Sequence, residues 1–202
     1  MANCAVCFAA LMFSQSQTYF SQAVIFIFTH SESGSAGLIL NRPTEFTLGK
    51  VAGAEEMCPE FAESQLRLGG DVGKSTLNIL HSYGELEGAI EIVNGIYLGG
   101  FEAARRAVRE GNAQGKDFTW FMHHAGWGPG QLENECSSGV WFTAAAGRDL
   151  ILQPRDGNDA PADMWHEVLQ LMGGEYSELS KVVQQPYRAD IMGNEGREGE
   201  DV

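Results

Sequence analysis

Hydrophobic residues in this chain come in short runs cut by glycine, proline and polar turns, a pattern that favours strands over long helices. Ala5–Phe13 is an apolar run suited to a strand, and Ser14–Gln17 breaks it. Val24–Phe28 is made entirely of β-formers, so Ala23–Thr29 reads as a strand covered on both faces. Ser31–Ser35 supplies a turn and Ala36–Leu40 a second strand, which predicts a hairpin. Asn41-Arg42-Pro43 ends it, because Pro43 removes a ladder donor.

Glu45–Glu63 is acidic and less regular. Leu66–Leu68 and Thr76–His81 read as short strands around Gly69-Gly70-Asp71, and Ala89–Tyr97 as two strands joined at Asn94-Gly95. Phe101–Glu110 is alanine-rich and stopped by Gly111-Asn112, so it reads as a helix. Phe118–Met122, Val140–Thr143 and Asp149–Leu152 read as strands. A helix is expected over Pro129–Glu135, with Pro129 at its first position. Pro161–Met172 sets Met164, Trp165, Val168, Leu169 and Met172 on one side of a helix that Gly173-Gly174 ends. Strands and helices alternate irregularly, which predicts an α+β domain over 1–185 with one main core. Residues 186–202 are polar and acidic and read as a disordered tail.

Charge narrows the function classes. Thirteen Lys and Arg against 27 Asp and Glu give a net −14. Nonspecific DNA binding depends on basic residues neutralising phosphates, so direct nucleic-acid contact is not expected. The densest basic patch, Arg105, Arg106 and Arg109, is flanked by Glu102 and Glu110 and reads as a solvated helix face. No run reaches the roughly 18–20 apolar residues of a membrane span. The N-terminus lacks the features of a secretory signal or a transit peptide. The expected setting is soluble and cytoplasmic, with a plastid as the alternative if the natural start lies upstream. Four cysteines are too few for a disulfide scaffold and fit a reducing compartment.

The short motifs are tested by spacing. Gly69–Thr76 contains Gly-Lys-Ser, as phosphate loops do, but Leu68 stands where such a loop needs glycine. A strand also follows where a helix should open. Cys4 and Cys7 form a lone Cys-x-x-Cys without the second pair zinc requires, and they read as core residues. His123 and His124 are adjacent, so on a strand they point to opposite faces; either could meet His81, with Asp71 or Glu133 as a carboxylate. They read as hydrogen-bonded structural groups. Ser35, in Gly34-Ser35-Ala36-Gly37, has the wrong spacing for a nucleophile elbow. Cys136 falls near a helix C-terminus, where the dipole raises a thiol's pKa. The expectation is therefore no metal and no cofactor.

The densest constellation is His124–Glu133, where three glycines and Pro129 surround Trp127. It reads as a tightly specified loop with Trp127 as its plug, and alternatively as a ligand pocket.

At this loop a family resemblance enters. Ala125–Glu133, with Gly139 and Trp141, resembles the YqgE/AlgH family. So do Thr29-His30, Gly34 and Ala36–Pro43, the Gly69-Gly70 pair with a strand ending in His81, and Gly95–Gly100, all in matching order. The similarity runs from about Phe20 to about Gly173. Thr29 stands where the family often has an acidic residue, and Asp71 where it usually has proline. The resemblance implies a compact α+β domain with a bifurcated mixed, partly barrel-like sheet flanked by helices. It implies a putative transcriptional-regulator label but no shared catalytic residues and no cofactor.

Three functions follow as expectations. The first is a non-enzymatic regulatory or ligand-binding protein acting through a protein partner or a small molecule. Its candidate ligand-binding residues are Asn41, Arg42, Gly69, Gly70, His124, Trp127, Gln131 and Glu133. The alternative is a hydrolase-type enzyme at the same glycine-rich loops, with Arg42 binding an anion and His124 and Glu133 moving protons. The third is an interaction scaffold, a homo-oligomer built on spare aromatic surface.

Overall fold

The computed structural model describes residues 5–10, 19–51, 53–93, 95–154 and 161–183. Its first strands are β1 (Ala5–Ala10), β2 (Val24–Ser31), β3 (Gly34–Ile39) and β4 (Pro43–Thr47). A single turn, α1 (Ala54–Met57), leads to β5 (Gln65–Leu68), β6 (Val72–His81), β7 (Ala89–Val93) and β8 (Ile96–Gly99). Then come α2 (Phe101–Arg109), β9 (Thr119–Trp127), α3 (Gln131–Ser137) and β10 (Trp141–Ala146). The described chain closes with α4 (Arg148–Leu152), α5 (Pro161–Met172) and α6 (Gly174–Val182).

The sheet runs β10-β1-β2-β3-β9-β6-β8-β7, with β5 attached to β9 and β4 to β5. It is mixed and bifurcated, and β9 is where it divides. β6 holds one edge of β9 from Thr119 to His124. On the other edge, Trp120–Met122 pairs parallel with Leu66–Leu68 of β5, and Ala125–Trp127 pairs antiparallel with Ser35–Gly37 of β3. Two strands thus share one edge of β9 in succession.

Gly69 and Gly70 sit at the changeover. The Gly69 amide donates to the Met122 carbonyl at 2.7 Å, and the Gly69 carbonyl accepts from Ile39 at 2.9 Å. Gly70 crosses so closely over β9 that a Cβ there would lie 1.9 Å from the His124 carbonyl carbon and 2.0 Å from the Ala125 nitrogen. No side chain fits that gap.

The β2–β3 hairpin forms as expected, and both faces of β2 are covered. Val24 and Phe26 join a buried group with Leu38, Phe121, Trp165 and Leu169. Ala23 and Ile25 pack on the other side with Ile39, Ala125, Trp127 and Trp141. A third group gathers Phe61, Leu66, Ile79 and Trp120 beneath α2. Fully burying each such side chain is worth about 1.5–3 kcal/mol. The apolar stripe of α5 is buried at Met164, Trp165, Val168 and Leu169, in keeping with its predicted spacing.

Several expectations need correction. Asp149–Leu152 lies in a helix, α4, because β10 ends at Ala146 beside β1 and Gly147 accepts the amides of Leu150 and Ile151. A four-residue apolar run carries no period that separates helix from strand. His124–Trp127 is strand, the second half of β9, and only Gly128–Gly130 turns. Pro129 precedes α3 rather than opening it; Gly130, with φ +69°, holds the N-cap. Gly173-Gly174 ends α5 but also begins α6, whose Tyr176 and Leu179 pack on the core. The 186–202 tail, Asn94 and Cys4 lie outside the described residues.

Candidate functional site

Seven of the eight candidate residues fall into two groups, and His124 stands apart from both beside Phe28 and Gly73. Asn41, Arg42, Gly69 and Gly70 are buried at the seam where β9 changes neighbours. The Asn41 side-chain oxygen accepts from the Val24 amide at 2.8 Å, and its nitrogen donates to the Gln22 carbonyl at 2.7 Å. The Arg42 guanidinium donates to the carbonyls of Ser21 and Asn41. Arg67 on β5 completes the seam by donating to the Leu40 carbonyl at 3.0 Å. These polar side chains tie the backbone where regular ladders stop, which is what buried polar groups require.

Trp127, Gln131 and Glu133 belong to a second group, at a rim between the β2–β3 hairpin and α3. Glu135 anchors it. One carboxylate oxygen accepts from the indole N–H groups of both Trp127 (2.9 Å) and Trp141 (2.6 Å). The other accepts from the Gln131 amide at 2.8 Å. The Gln131 oxygen in turn accepts the Gly128 amide at 3.0 Å. Trp127 is the plug the sequence suggested, with its ring 5.9 Å from Trp141.

Glu133 faces outward from α3 and meets His30 of β2, with Oε1 3.5 Å from Nε2. On the other side of that imidazole, Nδ1 lies 2.7 Å from Ser35 Oγ of β3. The contacts of Arg42, His124 and Glu133 therefore run in three directions: to Ser21 and Asn41, to Phe28 and the Gly73 turn, and to His30. No short motif marks His30 and Ser35 as a pair. The signal was available: five residues apart across a short turn, the two are opposite in the hairpin register.

His123 adopts a left-handed backbone, φ +62°, and that breaks strand alternation. Both histidines consequently approach Gly73. His123 Nδ1–H donates to its carbonyl at 2.9 Å, and the His124 ring comes within 3.0 Å of where a Cβ on Gly73 would stand. The Gly-Lys-Ser stretch is inside β6, as the strand pattern required. His81 is buried near Tyr83, Tyr97 and Phe118. Its Nε2–H donates to the Gly99 carbonyl at 3.0 Å, and its Nδ1 accepts from the Tyr83 amide at 3.2 Å. Burial pushes this imidazole below its usual pKa, against the opposing pull of Gly99 and Glu85. The Cys136 thiol is pushed up, chiefly by burial and then by Glu135 and Glu133.

On the far side of the sheet, α2 presents its arginines to carboxylates. Arg105 pairs with Glu60 at 3.1 Å and Glu102 at 3.4 Å, Arg109 with Glu60 at 3.6 Å, and Arg106 with Glu87 at 3.7 Å. Burial alone would raise the Glu60 carboxyl; its backbone hydrogen bond and the two guanidiniums outweigh that and hold it below the usual range. Next to this network lies a cleft of about 410 Å³, lined among others by Glu60, Glu63, Gln65, Arg67, Lys116 and Phe118. None of the eight candidates lines it, and no local motif marked it in the sequence. Among the described residues no group of three or more His, Cys, Asp or Glu could hold a metal ion, and no helix is long and apolar enough to cross a membrane.

An α+β domain organised on a divided, barrel-like sheet is thus the class to which this fold belongs. The profile of the AlgH-like family, DUF179, matches residues 8–177, and the chain belongs to that family. A UPF0301 protein of Chlorobium phaeobacteroides is 37% identical over 173 residues, covering 84% of this chain and 87% of that one. One from Chlamydia trachomatis is 34% identical over 168 residues, covering 81% and 83%. The crystal structure of DIP2367 from Corynebacterium diphtheriae superposes with a TM-score of 0.68 at 20% identity, covering 89% of this chain and 92% of that chain. The solution structure of AlgH from Pseudomonas aeruginosa gives 0.65 at 23% identity, covering 92% and 95%. Both share the fold.

Proposed function

We propose that this protein is regulatory and works by binding a protein partner or a small molecule, without direct contact to DNA. The ion pairing of α2 carries this reading. Arg105, Arg106 and Arg109, the densest basic cluster in a chain of net charge −14, all face carboxylates. A phosphate backbone would have to displace Glu60, Glu87 and Glu102 to reach them. The family's transcriptional label then describes an indirect effect. The exposed rim of Gln131, Glu133 and His30 is the surface offered to the partner or ligand.

Native mass spectrometry of the purified chain mixed with a short DNA duplex tests this. The expected spectrum shows no DNA adduct, and a retained small-molecule mass or a second protein chain. A DNA adduct that disappears in the triple variant Arg105→Ala, Arg106→Ala, Arg109→Ala overturns the reading.

A further inference from the structure

We propose that Ser35 is an acyl-accepting nucleophile, with His30 as its general base and Glu133 as the group that orients the base. This goes beyond the partner-binding reading and does not rest on it. Ser35 Oγ is 2.7 Å from His30 Nδ1, and His30 Nε2 is 3.5 Å from Glu133 Oε1. The Glu133 carboxylate faces Nε2 at ion-pair distance, and its negative charge favours the tautomer with its hydrogen on that side. That leaves the Nδ1 lone pair facing the Ser35 hydroxyl. Nucleophile, base and orienting group stand in the relation that activates a serine.

Three separate elements build the trio: β2, β3 and α3. Hairpin register sets His30 opposite Ser35. Gly34 fixes the approach of β3 to β9: its φ is +129°, and a Cβ there would lie 2.4 Å from the Trp127 carbonyl oxygen. Ser35 is only 8% exposed, whereas the side chains of His30 and Glu133 are 53% and 51% exposed. The solvent-facing part of the trio is therefore the imidazole and the carboxylate.

The surroundings also set the substrate class. Ser35 is laddered on both edges, to His30 and to Trp127, so its backbone is occupied with the sheet. A positioned base is worth about 10²–10⁴ in rate. Losing one oxyanion donor costs about 10²–10³. A serine with the base alone takes acyl groups from activated esters and thioesters and leaves amides intact. In the step, the Oγ–acyl carbon bond forms and the hydroxyl proton passes to His30 Nδ1. The donor's carbon–oxygen or carbon–sulfur bond breaks, and the same proton leaves on the alcohol or thiol. In the second step water gives a proton to His30 Nδ1 and its oxygen bonds to the acyl carbon; the acyl carbon–Oγ bond breaks, the proton returns from Nδ1 to Oγ, and the carboxylic acid leaves.

Incubating the full chain with p-nitrophenyl acetate, with phenolate release followed by absorbance and acetylation mapped by peptide mass spectrometry, is the test. Acetyl is expected on Ser35, at a rate about 10²-fold lower in His30→Gln and lower by a smaller factor in Glu133→Gln. Ser35→Ala abolishes it. His30 is exposed, so His30→Gln keeps the fold and carries the test even if Ser35→Ala does not. In a Ser35→Cys background, alkylation of position 35 by iodoacetamide falls when His30→Gln is added. Acetyl found only on lysines, or Ser35 labelled equally fast with and without His30, overturns the proposal.

Discussion

At the Gly69–Gly70 seam buried side chains bond to backbone groups, whereas at the rim between the β2–β3 hairpin and α3 side chains bond mainly to one another. The seam holds Asn41 and Arg42 inside the protein, bonded to carbonyls and amides. The rim holds His30 and Glu133 half in water. Glycine, asparagine and arginine at the seam serve a division in the sheet, and the groups free to meet another molecule are at the rim. Residue type alone does not separate the two: a buried arginine on carbonyl oxygens and a binding arginine look the same in a sequence.

The sharpest way to break this contrast is Gly70→Ala. The added carbon would fall on the His124–Ala125 peptide, and neither strand can yield without losing its ladder. A loss of about 3 kcal/mol or more is expected in the unfolding free energy read from urea titration, enough to unfold a marginal domain. Asn41→Ala comes next. It leaves the Val24 amide and the Gln22 carbonyl buried without their partner, at about 1–3 kcal/mol each.

Acid sharpens the buried side of the comparison. The folded chain holds His81 neutral, with its pKa depressed by burial. Once pH drops below about 6.5, the unfolded chain takes up a proton that the folded one refuses. Stability is therefore intact above that value and falls as pH moves down toward the folded pKa. Urea midpoints across this range should show the slope in the parent and a flatter line in His81→Gln. The smallest effect is expected at the rim. Glu133→Gln should change stability by no more than about 0.5 kcal/mol, because its pairing with His30 is exposed. An equal loss from Glu133→Gln and Asn41→Ala would dissolve the distinction.

Much of the fold was legible in the sequence. Five β-formers from Val24 to Phe28 predicted a strand buried on both faces, and the helical stripe of Pro161–Met172 predicted its own buried side. The division of the sheet came from the family resemblance, since the β5–β9 and β3–β9 pairings join residues far apart in the chain. The strand over His124–Trp127 was hidden because its glycines and the turn beyond look alike locally. Its strand state depends on β3 lying alongside. The site was less legible. His30 and Ser35 become partners through hairpin register, Glu133 joins them through the packing of α3, and neither relation has a fixed spacing.

The shared strand has a consequence in time. β9 occupies residues 119–127, and its partners span residues 34–39, 65–68 and 72–81. Each of those strands leaves the ribosome before the segment that joins them. Until that segment arrives, β3 and β5 wait with open edges for the same neighbour, and the β2–β3 hairpin is left to stand on local turns. Pairing across such distances slows folding, and unpaired edges are where chains stick to one another. The late arrival of nine residues thus sets both the pace of maturation and the interval in which a nascent copy is most vulnerable.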